Sequence, residues 1–549
     1  MIVDYIGASI LIILGIYIMI MNKDTIKIIL GLIIMGSGVN LFLISIGLYD
    51  PISFSNKLKV SDTLVLNKTI EYMVVVSIII TVCAVIIALS ESLAIKRGFG
   101  KFKNSYKYIV VGLFAVYIIL LATGLIYAEA ISSESITLNL NTINSYITPN
   151  GLSTLSIFAF GLFVVGFGTI VYLFSNDLWS FKWKRNIYGY INLVVLIIMT
   201  VLGIYGMYKI SFAMYNISSY LPIKYLFIYW GCITIIYSII MVILNWASDK
   251  RLEGVLKYLS ISQIGLTIIG FGIASYESVY GSIYNAISII PSIMLIFICI
   301  SSFYNSAKNA GLRDIYGIGK KMPYTTLMFA SALLSISGIP PFGQFESRYI
   351  IYNSALKYGH TFISIIIVIS SIITFALSLN AIYNILFKNP KNKNIDNIKE
   401  ANVYELSAMG ILTVLSILLG VFPKQLNRFM PQIIKNEWLS GITLSAIGYN
   451  SNNFGILLMV LIIGIIVFIL LNPEIGENIS VSDIKNSFLN NCAKFYLTIC
   501  KLNIPSKIKK PLNRCDKLMK DRRALQISDY ILWAIGVFGF ISVYLMFTI

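Results

Sequence analysis

Long apolar runs, separated by short polar connections, occupy most of the chain, and many of them reach about 18 residues or more. An apolar run of this length predicts a helix that crosses a membrane. The runs predict spans at 2–22, 25–47, 71–95, 108–129, 152–174, 186–208, 222–246, 258–277, 283–306, 323–341, 361–387, 403–422, 452–471 and 529–547. The pattern therefore predicts an all-α, polytopic membrane protein with about 14 transmembrane helices.

The span at 323–341 ends in a proline-broken segment. Pro340 and Pro341 remove two adjacent backbone donors, and Gly338 and Gly343 loosen the backbone on either side. Two charged residues, Glu346 and Arg348, follow at once. Broken backbone at membrane depth is tolerated only where protein or a water-filled cavity satisfies it, so charges beside such a break are candidates for an ion path. The alternative is a helix end closed by a proline turn, with its charges at the level of the lipid headgroups.

Three further residues are candidates for the same path. Glu253 and Lys257 stand four residues apart in the favourable acid-before-base order, which predicts a pair on one helix face. This pair is either one end of an ion path or part of an ordinary charged turn between two spans. Gln263 is the best placed of the neutral polar residues within spans, a class that usually forms hydrogen bonds between helices.

Composition and charge agree with a membrane protein. The chain of 549 residues is 57% hydrophobic and 12% charged, with a mean hydropathy of +0.83 and a net charge of +18. About three quarters of its lysines and arginines fall in the odd-numbered connections between predicted spans. This asymmetry predicts that both termini lie outside a cell membrane, and it explains the basic balance without a nucleic-acid partner. The first run lacks a basic start and carries Asp4, so we expect a span rather than a cleaved signal peptide.

Metal and cofactor chemistry is not expected. The six cysteines form no C-x-x-C pair, and the single histidine, His360, has no second ligand near it in the sequence. A hydrophilic segment at 472–528 has apolar residues at helical spacing and a strongly basic stretch from Lys501 to Arg523. We expect it to contact membrane lipid or an acidic peripheral subunit.

The first hundred residues resemble a known small subunit. GLIIMGSGVNLF and EYMVVVSIIITVCAVIIAL are similar to the small three-helix subunit of multisubunit cation/proton antiporters and membrane-bound hydrogenases, which is related to a small subunit of respiratory complex I. Relatives in complex I carry a glutamate in the second span, and this chain has none there.

The middle of the chain resembles the large antiporter-like subunits shared by complex I, multisubunit cation/proton antiporters and energy-converting membrane-bound hydrogenases. The segments that carry this resemblance are TVLGIYGMYKI, SDKRLEGVLKYLSISQIGLTIIGFG, GSIYNAISIIPSIMLIF, DIYGIGKKMPYTTLMFASALLSISGIPPFGQFESRY and SAMGILTVLSILLGVFP. The organisation that we predict is a three-helix unit at 1–100, two weakly assigned spans at 101–185, an antiporter-like core at 186–425, a further span at 426–471 and a basic segment with a final span at 472–549.

The resemblance implies a line of buried lysines, glutamates and histidines at the membrane midplane, and this chain departs from it. Positions where such subunits carry ionisable residues hold Val201, Glu253, Asn285 and Ile289, and the lysine after the proline break is replaced by Arg348. Arginine stays charged and does not readily relay a proton. The ion path is therefore expected to be depleted.

These observations lead to one main hypothesis and two alternatives. The chain is expected to be a non-catalytic membrane-arm subunit of a multisubunit complex that translocates H⁺ or Na⁺, most like an energy-converting hydrogenase or a complex-I-like oxidoreductase. Its partners would be other membrane subunits, peripheral redox subunits and membrane lipid, and it would hold no cofactor. The alternatives are a self-sufficient cation/proton antiporter and a purely structural membrane scaffold.

Overall fold

A computed structural model describes residues 2–21, 25–47, 74–75, 78, 105–132, 153–177, 187–215, 220–247, 252–306, 316–387, 398, 400–422 and 451–472. Within this part of the chain the α-helices are α1 (Ile2–Met21), α2 (Thr25–Gly47), α3 (Ser105–Ser132), α4 (Thr154–Asp177), α5 (Ile187–Tyr208), α6 (Leu221–Ala247), α7 (Leu252–Ile273), α8 (Tyr276–Ser306), α9 (Pro323–Ile336), α10 (Gly343–Lys357), α11 (Thr361–Leu386), α12 (Val403–Val421) and α13 (Ser451–Leu471). A π-helical segment (Lys209–Met214) follows α5, and a 3₁₀-helix (Ile318–Lys320) precedes α9.

The all-α membrane fold predicted from the apolar runs is confirmed. Eight helices of the described residues are long and apolar enough to cross a membrane, and shorter apolar helices accompany them. Helices suit this setting because they satisfy every interior backbone group without water. The spans predicted at 71–95 and 529–547 lie almost entirely or entirely outside the described residues, so the total of about 14 stays a prediction.

The boundaries of α7 and α8 differ from the predicted spans. The predicted spans begin at 258 and 283, whereas α7 begins at Leu252 and α8 at Tyr276. Both helices start with a polar turn, which a hydropathy pattern does not include. Between them, Ala274 has a positive φ of 53°, and the hydroxyls of Ser275 and Ser278 each accept a backbone N–H of the other residue, at 3.1 and 3.0 Å. This reciprocal capping makes the tight turn that the sequence pattern missed.

The chain divides into two compact units. The first comprises Met1–Leu178, Val194–Leu226 and Leu525–Ile549, and in it α1 packs on α2 and α3 packs on α4. Helices α1 and α2 approach closely at Gly38 of α2, where an added Cβ would come within 2.9 Å of the Ala8 carbonyl oxygen of α1. Two helices therefore approach at backbone distance in this unit, which small residues at a helix contact allow.

The second unit comprises Trp179–Leu193 and Phe227–Ala524, and α8 lies at its centre. Helices α7, α9, α10 and α12 all pack on α8, whose described side chains are mostly buried. On the far side of α9 and α10, α11 packs on both of them and on α13. This arrangement surrounds the junction between α9 and α10 with helices.

Candidate functional site

The proline-broken segment separates two short helices of the second unit. Helix α9 ends at Ile336 and α10 begins at Gly343. Gly338 has a positive φ of 72°, a conformation that L side chains rarely adopt and that commonly ends helices. The Pro340-Pro341 bond is cis, and the N–H of Phe342 donates to the carbonyl oxygen of Ile339 at 3.1 Å. The chain thus leaves α9 through a compact turn and continues as α10.

The carbonyl groups at the end of α9 need partners from outside the helix, as at any helix C-terminus. Backbone N–H groups of the turn satisfy the carbonyl oxygens of residues 333–335, at 2.9–3.3 Å. The carbonyl oxygens of Ile336 and Ser337 are left for side chains. Because these oxygens lie at the negative end of the helix dipole, they favour a cationic partner.

Arg348 provides that partner from α10. Its Nη2 donates to the carbonyl oxygen of Ile336 at 2.8 Å, and its Nη1 donates to the carbonyl oxygen of Ser337 at 2.9 Å. Nη1 also lies 3.0 Å from the hydroxyl of Ser371 and 3.4 Å from that of Thr374, both on α11. The side chain is buried (8% exposed), and all four acceptors are neutral oxygen atoms. Arg348 therefore caps α9 and ties it to α10 and α11.

Two glutamines complete the carbonyl end of α9. Nε2 of the buried Gln263 on α7 donates to the carbonyl oxygen of Ile336 at 3.2 Å. The side-chain amide of Gln344, in the orientation that satisfies both of its atoms, donates to the carbonyl oxygens of Ser335 at 2.9 Å and Ile336 at 3.2 Å. Gln263 was singled out in the sequence and Gln344 was not, although it stands directly beside the break.

Glu346 lies on α10 apart from Arg348. The two residues are separated by two positions, and such residues do not face each other on a helix. Glu346 is fully buried (0% exposed), and neither of its carboxyl oxygens accepts a hydrogen bond within the described part of the chain. Burying an ionised carboxylate without a partner is costly, and binding a proton removes that cost. The predicted pair of charges at the break is thus two separate sites.

A set of neutral side chains, which we call the polar belt, leads from α7 to the break. It consists of Thr267 on α7, Asn285 on α8 and Ser347 on α10. Nδ2 of Asn285 donates to the hydroxyl of Thr267 and to the carbonyl oxygen of Gln263, both at 3.0 Å, and Oδ1 of Asn285 lies 3.2 Å from the hydroxyl of Ser347. The belt thus passes through Asn285, a position where the resemblance implies an ionisable residue, and joins three helices without a charge.

Of the predicted pair of Glu253 and Lys257, the structure describes the side chain of Lys257 alone. Both residues belong to the first turns of α7, but the side chain of Glu253 lies outside the described residues. The Nζ of Lys257 lies 5.3 Å from the ring centroid of Tyr258. Their pairing stays a prediction.

The sequence reading missed a partner for the other end of α9. Oε1 of Glu400 accepts a hydrogen bond from the Thr325 hydroxyl at 2.6 Å, and its Oε2 accepts one from the Tyr324 backbone N–H at 3.1 Å. A carboxylate at a helix N-terminus satisfies free N–H groups and the positive end of the dipole. A proline at the first helical position, Pro323, was the available signal for a helix start, but no pattern pointed to a cap 75 residues away.

A cavity of about 50 Å³ lies beside Arg348 and has room for water. Arg348 and Ser371 contribute its polar groups, and Phe345, Tyr349 and Tyr352 line its aromatic side. Among the residues that the structure describes, no three His, Cys, Asp or Glu side chains are grouped so as to hold a metal ion.

Two family models match this chain. The first, NADH:quinone oxidoreductase/Mrp antiporter, TM, covers residues 79–374, and the second, NADH-ubiquinone/plastoquinone oxidoreductase chain 4L, covers residues 4–105. The second match confirms the resemblance of the N-terminal part to a small subunit of respiratory complexes, and the pair of matches confirms a fused chain.

Curated relatives and solved structures agree with these matches. An uncharacterised protein of Methanocaldococcus jannaschii is 27% identical over 203 residues, which cover 36% of this chain and 41% of that protein. A Staphylococcus saprophyticus protein named as antiporter subunit mnhD2 is 24% identical over 323 residues, which cover 57% of this chain and 60% of that protein. The chain thus spans about half the length of the curated relatives that it matches.

Two solved complexes contain chains of similar fold. A chain of the membrane-bound sulfane sulfur reductase, an archaeal respiratory membrane complex, aligns with a TM-score of 0.53 and 20% identity and covers 98% of this chain and 83% of that one. A chain of the Mrp complex from Dietzia sp. aligns with a TM-score of 0.50 and 15% identity and covers 78% of this chain and 76% of that one. These likenesses concern the fold. Since the first family model covers more than half of its residues, the chain belongs to the NADH:quinone oxidoreductase/Mrp antiporter transmembrane family.

Proposed function

We propose that this protein is a non-catalytic membrane-arm subunit of a multisubunit complex that translocates H⁺ or Na⁺ and is driven by redox chemistry on other subunits. Within that complex it mainly transmits movement between subunits and seals the membrane, and it pumps few ions itself. The complex would be most like an energy-converting hydrogenase or a complex-I-like oxidoreductase.

The observation that carries this proposal is the state of the break between α9 and α10. A broken helix at membrane depth marks a transport fold, yet the cation held there is an arginine. Arginine stays charged, so Arg348 acts as a fixed charge and does not relay protons. Its contacts to two carbonyl oxygens and two hydroxyls hold the broken helices together. The neutral polar belt through Asn285 supports the same reading, because it joins helices without a titratable side chain.

Glu346 supplies the limited proton chemistry in this proposal. Its buried carboxyl group binds and releases a proton at the break. Glu253 and Lys257 form the other candidate end of the path, at the start of α7. Gln263 acts on the path indirectly, by holding the carbonyl oxygen of Ile336.

The environment of the subunit follows from its relatives and its charge. The matched folds come from multisubunit membrane complexes, and one curated relative is named as an antiporter subunit, which supports other membrane subunits as partners. Peripheral redox subunits would dock on the predicted cytoplasmic side, where the basic stretch 501–523 would contact either anionic lipid or an acidic peripheral subunit. The protein would lie in the cell membrane with both termini outside.

The test is purification in mild detergent followed by measurement of ion flux in the reconstituted assembly. We expect redox and antiporter-like subunits to co-purify, and we expect Glu346→Gln to lower redox-driven flux because an amide cannot carry the proton. Sodium/proton exchange by vesicles that hold this chain alone, lost in Arg348→Ala, would instead establish a self-sufficient antiporter. Unchanged flux of the intact complex in Glu346→Gln, Glu253→Gln and Arg348→Gln would establish a structural scaffold.

A further inference from the structure

The oxygen atoms around Arg348 form a set that suits a cation in general. Two are backbone carbonyl oxygens at the end of α9, and two are hydroxyls of Ser371 and Thr374. In broken helices at membrane depth, carbonyl groups at the C-terminal ends of half-helices coordinate monovalent cations. Rings of carbonyl oxygens replace the hydration shell of such ions elsewhere. Here the guanidinium group lies where a free cation would bind.

The charge balance at this place also differs from that of an ordinary buried ion pair. Among the described residues, every hydrogen-bond acceptor of Arg348 is neutral, and Glu346 lies on another side of α10. A buried charge needs compensation, and the negative end of the α9 dipole is the compensation that the contacts provide. The site is therefore built for one positive charge and no carboxylate.

The guanidinium group also fits its site closely. An added Cβ at Gly338 would lie 3.2 Å from Nε and 3.3 Å from Cζ of Arg348, so the group lies directly against the backbone of the turn. The cavity of about 50 Å³ is lined by Gly338, Arg348 and Ser371. A small molecule that enters this cavity therefore arrives at the guanidinium group and at the hydroxyl of Ser371, one of its four acceptors.

We propose that the carbonyl end of α9 is a binding site for a monovalent cation, and that the tethered guanidinium of Arg348 fills it and plugs the break. This deepens the proposed function, because a plugged break explains how a subunit with a transport fold seals the membrane. The proposed cation site does not depend on which complex the subunit joins. Removal of the side chain leaves a vacant site that a free cation of the same shape refills.

Chemical rescue of Arg348→Ala tests the binding site. The full-length variant is purified in mild detergent, and its thermal midpoint is measured with roughly 10 mM guanidinium chloride, far below the molar concentrations at which this salt denatures proteins. Urea at the same concentration is the matched probe, since it has nearly the same planar shape and no charge. Tetramethylammonium chloride at the same concentration controls for ionic strength, since its cation has no N–H donor and is bulkier than guanidinium.

We expect Arg348→Ala to melt several degrees below the wild type and guanidinium to reverse much of that loss, while urea does not. The wild type, whose site is filled, should not respond. Rescue by urea as well as by guanidinium would overturn the proposal, because the site would then require hydrogen-bond donors and no charge. Absence of rescue by either molecule would overturn it too.

Two further variants keep the test decisive. Lys357→Ala removes the exposed cation at the end of the same helix, which pairs with Glu277 at 2.8 Å, and it should show no rescue by guanidinium. Arg348→Lys keeps a tethered cation, so it should lose less stability than Arg348→Ala and respond less to guanidinium. If Arg348→Ala cannot be purified, its folded yield with guanidinium in the growth medium is measured instead, against the same urea control.

Sodium uptake tests the plug. Vesicles that hold Arg348→Ala should take up sodium faster than vesicles that hold the wild type or Arg348→Lys, and added guanidinium should slow that uptake. Equal uptake by all three proteins would overturn the plugging role. Since these measurements use the isolated chain, their failure is distinguishable from a failure of the proposed complex to co-purify.

Discussion

Gly420 on α12 allows that helix to lie directly against the break between α9 and α10. An added Cβ at this position would overlap the carbonyl oxygen of Pro341 and lie 2.5 Å from the carbonyl carbon of Phe342. All of these neighbours are backbone atoms, so no side-chain rotation relieves the overlap. Carbon atoms pack at about 3.5 Å or more, and α12 must therefore move by about 1 Å to accept Gly420→Ala.

The expected cost follows from that displacement. Overpacking a well-packed site typically costs about 1–3 kcal/mol. Because the overlap is with backbone atoms, we take the upper part of that range, about 2–3 kcal/mol. Alanine regains about 1 kcal/mol as a better helix former than glycine, so we expect a net loss of about 1–2 kcal/mol in the free energy of unfolding. The same movement pulls the Leu419 carbonyl oxygen away from the hydroxyl of Tyr284 on α8.

The thiol of Cys299 provides the assay. Cys299 is fully buried on α8, and its sulfur lies 3.6 Å from the sulfur of Met409 on α12. In a background that keeps Cys299 as the single cysteine, a thiol-reactive dye reports separation of the two helices during heating. In Gly420→Ala, the Cys299 thiol should react with the dye at a lower temperature than in the single-cysteine protein that keeps Gly420.

Gly410 supplies a matched control on the same helix. Its added Cβ would meet the methyl carbon of Met328 at 3.8 Å, an ordinary contact, so Gly410→Ala should be neutral or stabilising. If Gly420→Ala unfolds at or above the temperature at which Gly410→Ala unfolds, the inference that α12 packs closely on the break is wrong.

Three further perturbations separate the contacts that stabilise this region from those that do not. Glu400→Ala should lower the free energy of unfolding by about 1–2 kcal/mol, because α9 loses its N-terminal cap, and Glu400→Gln should recover part of this loss; thermal unfolding of both variants checks it. Asn285→Ala removes hydrogen bonds to α7 and α10 and should cost about 1–3 kcal/mol in the same assay, and a cost near zero would show that the polar belt does not hold the helices together. Lys357→Ala should change stability by less than about 0.5 kcal/mol, because the ammonium group is largely exposed.

Hydropathy predicted the positions of the long apolar helices well, but it missed α10 (Gly343–Lys357), whose residues form no apolar run. The success has a physical reason. A bilayer requires apolar side chains over the whole length of a span, so the sequence must show the element directly. The span predicted at 361–387 corresponds to α11, Thr361–Leu386. The prediction missed the polar first turns of α7 and α8, and it gave no sign of the π-helical end of α5, because neither feature changes the apolar pattern.

The break was visible in the sequence, whereas its contacts were not. Two prolines and a glycine identify a place where a helix cannot continue. Two of the four hydrogen-bond partners of Arg348 are backbone oxygens, which every residue carries, so no residue type marks them. Glu400 illustrates the same limit, since a capping carboxylate far along the chain becomes recognisable only when the helices are packed.

Both ends of α9 are held by charged side chains, and these contacts bear on whether the subunit conducts ions or transmits movement. A carboxylate, Glu400, holds its N-terminus, and a guanidinium group, Arg348, holds its C-terminus, so each end of the helix dipole meets the opposite charge. A helix of 14 residues is about 21 Å long, which reaches from the predicted cytoplasmic side to membrane depth. Ion conduction through the break would require the carbonyl end of α9 to exchange its cation, and a tethered arginine opposes that exchange. A displacement of Glu400, in contrast, would be expected to move the helix and the Arg348 site together, because Glu400 and Arg348 bind opposite ends of the same helix. The contacts of α9 thus support the proposed role, in which the subunit transmits movement and conducts few ions itself.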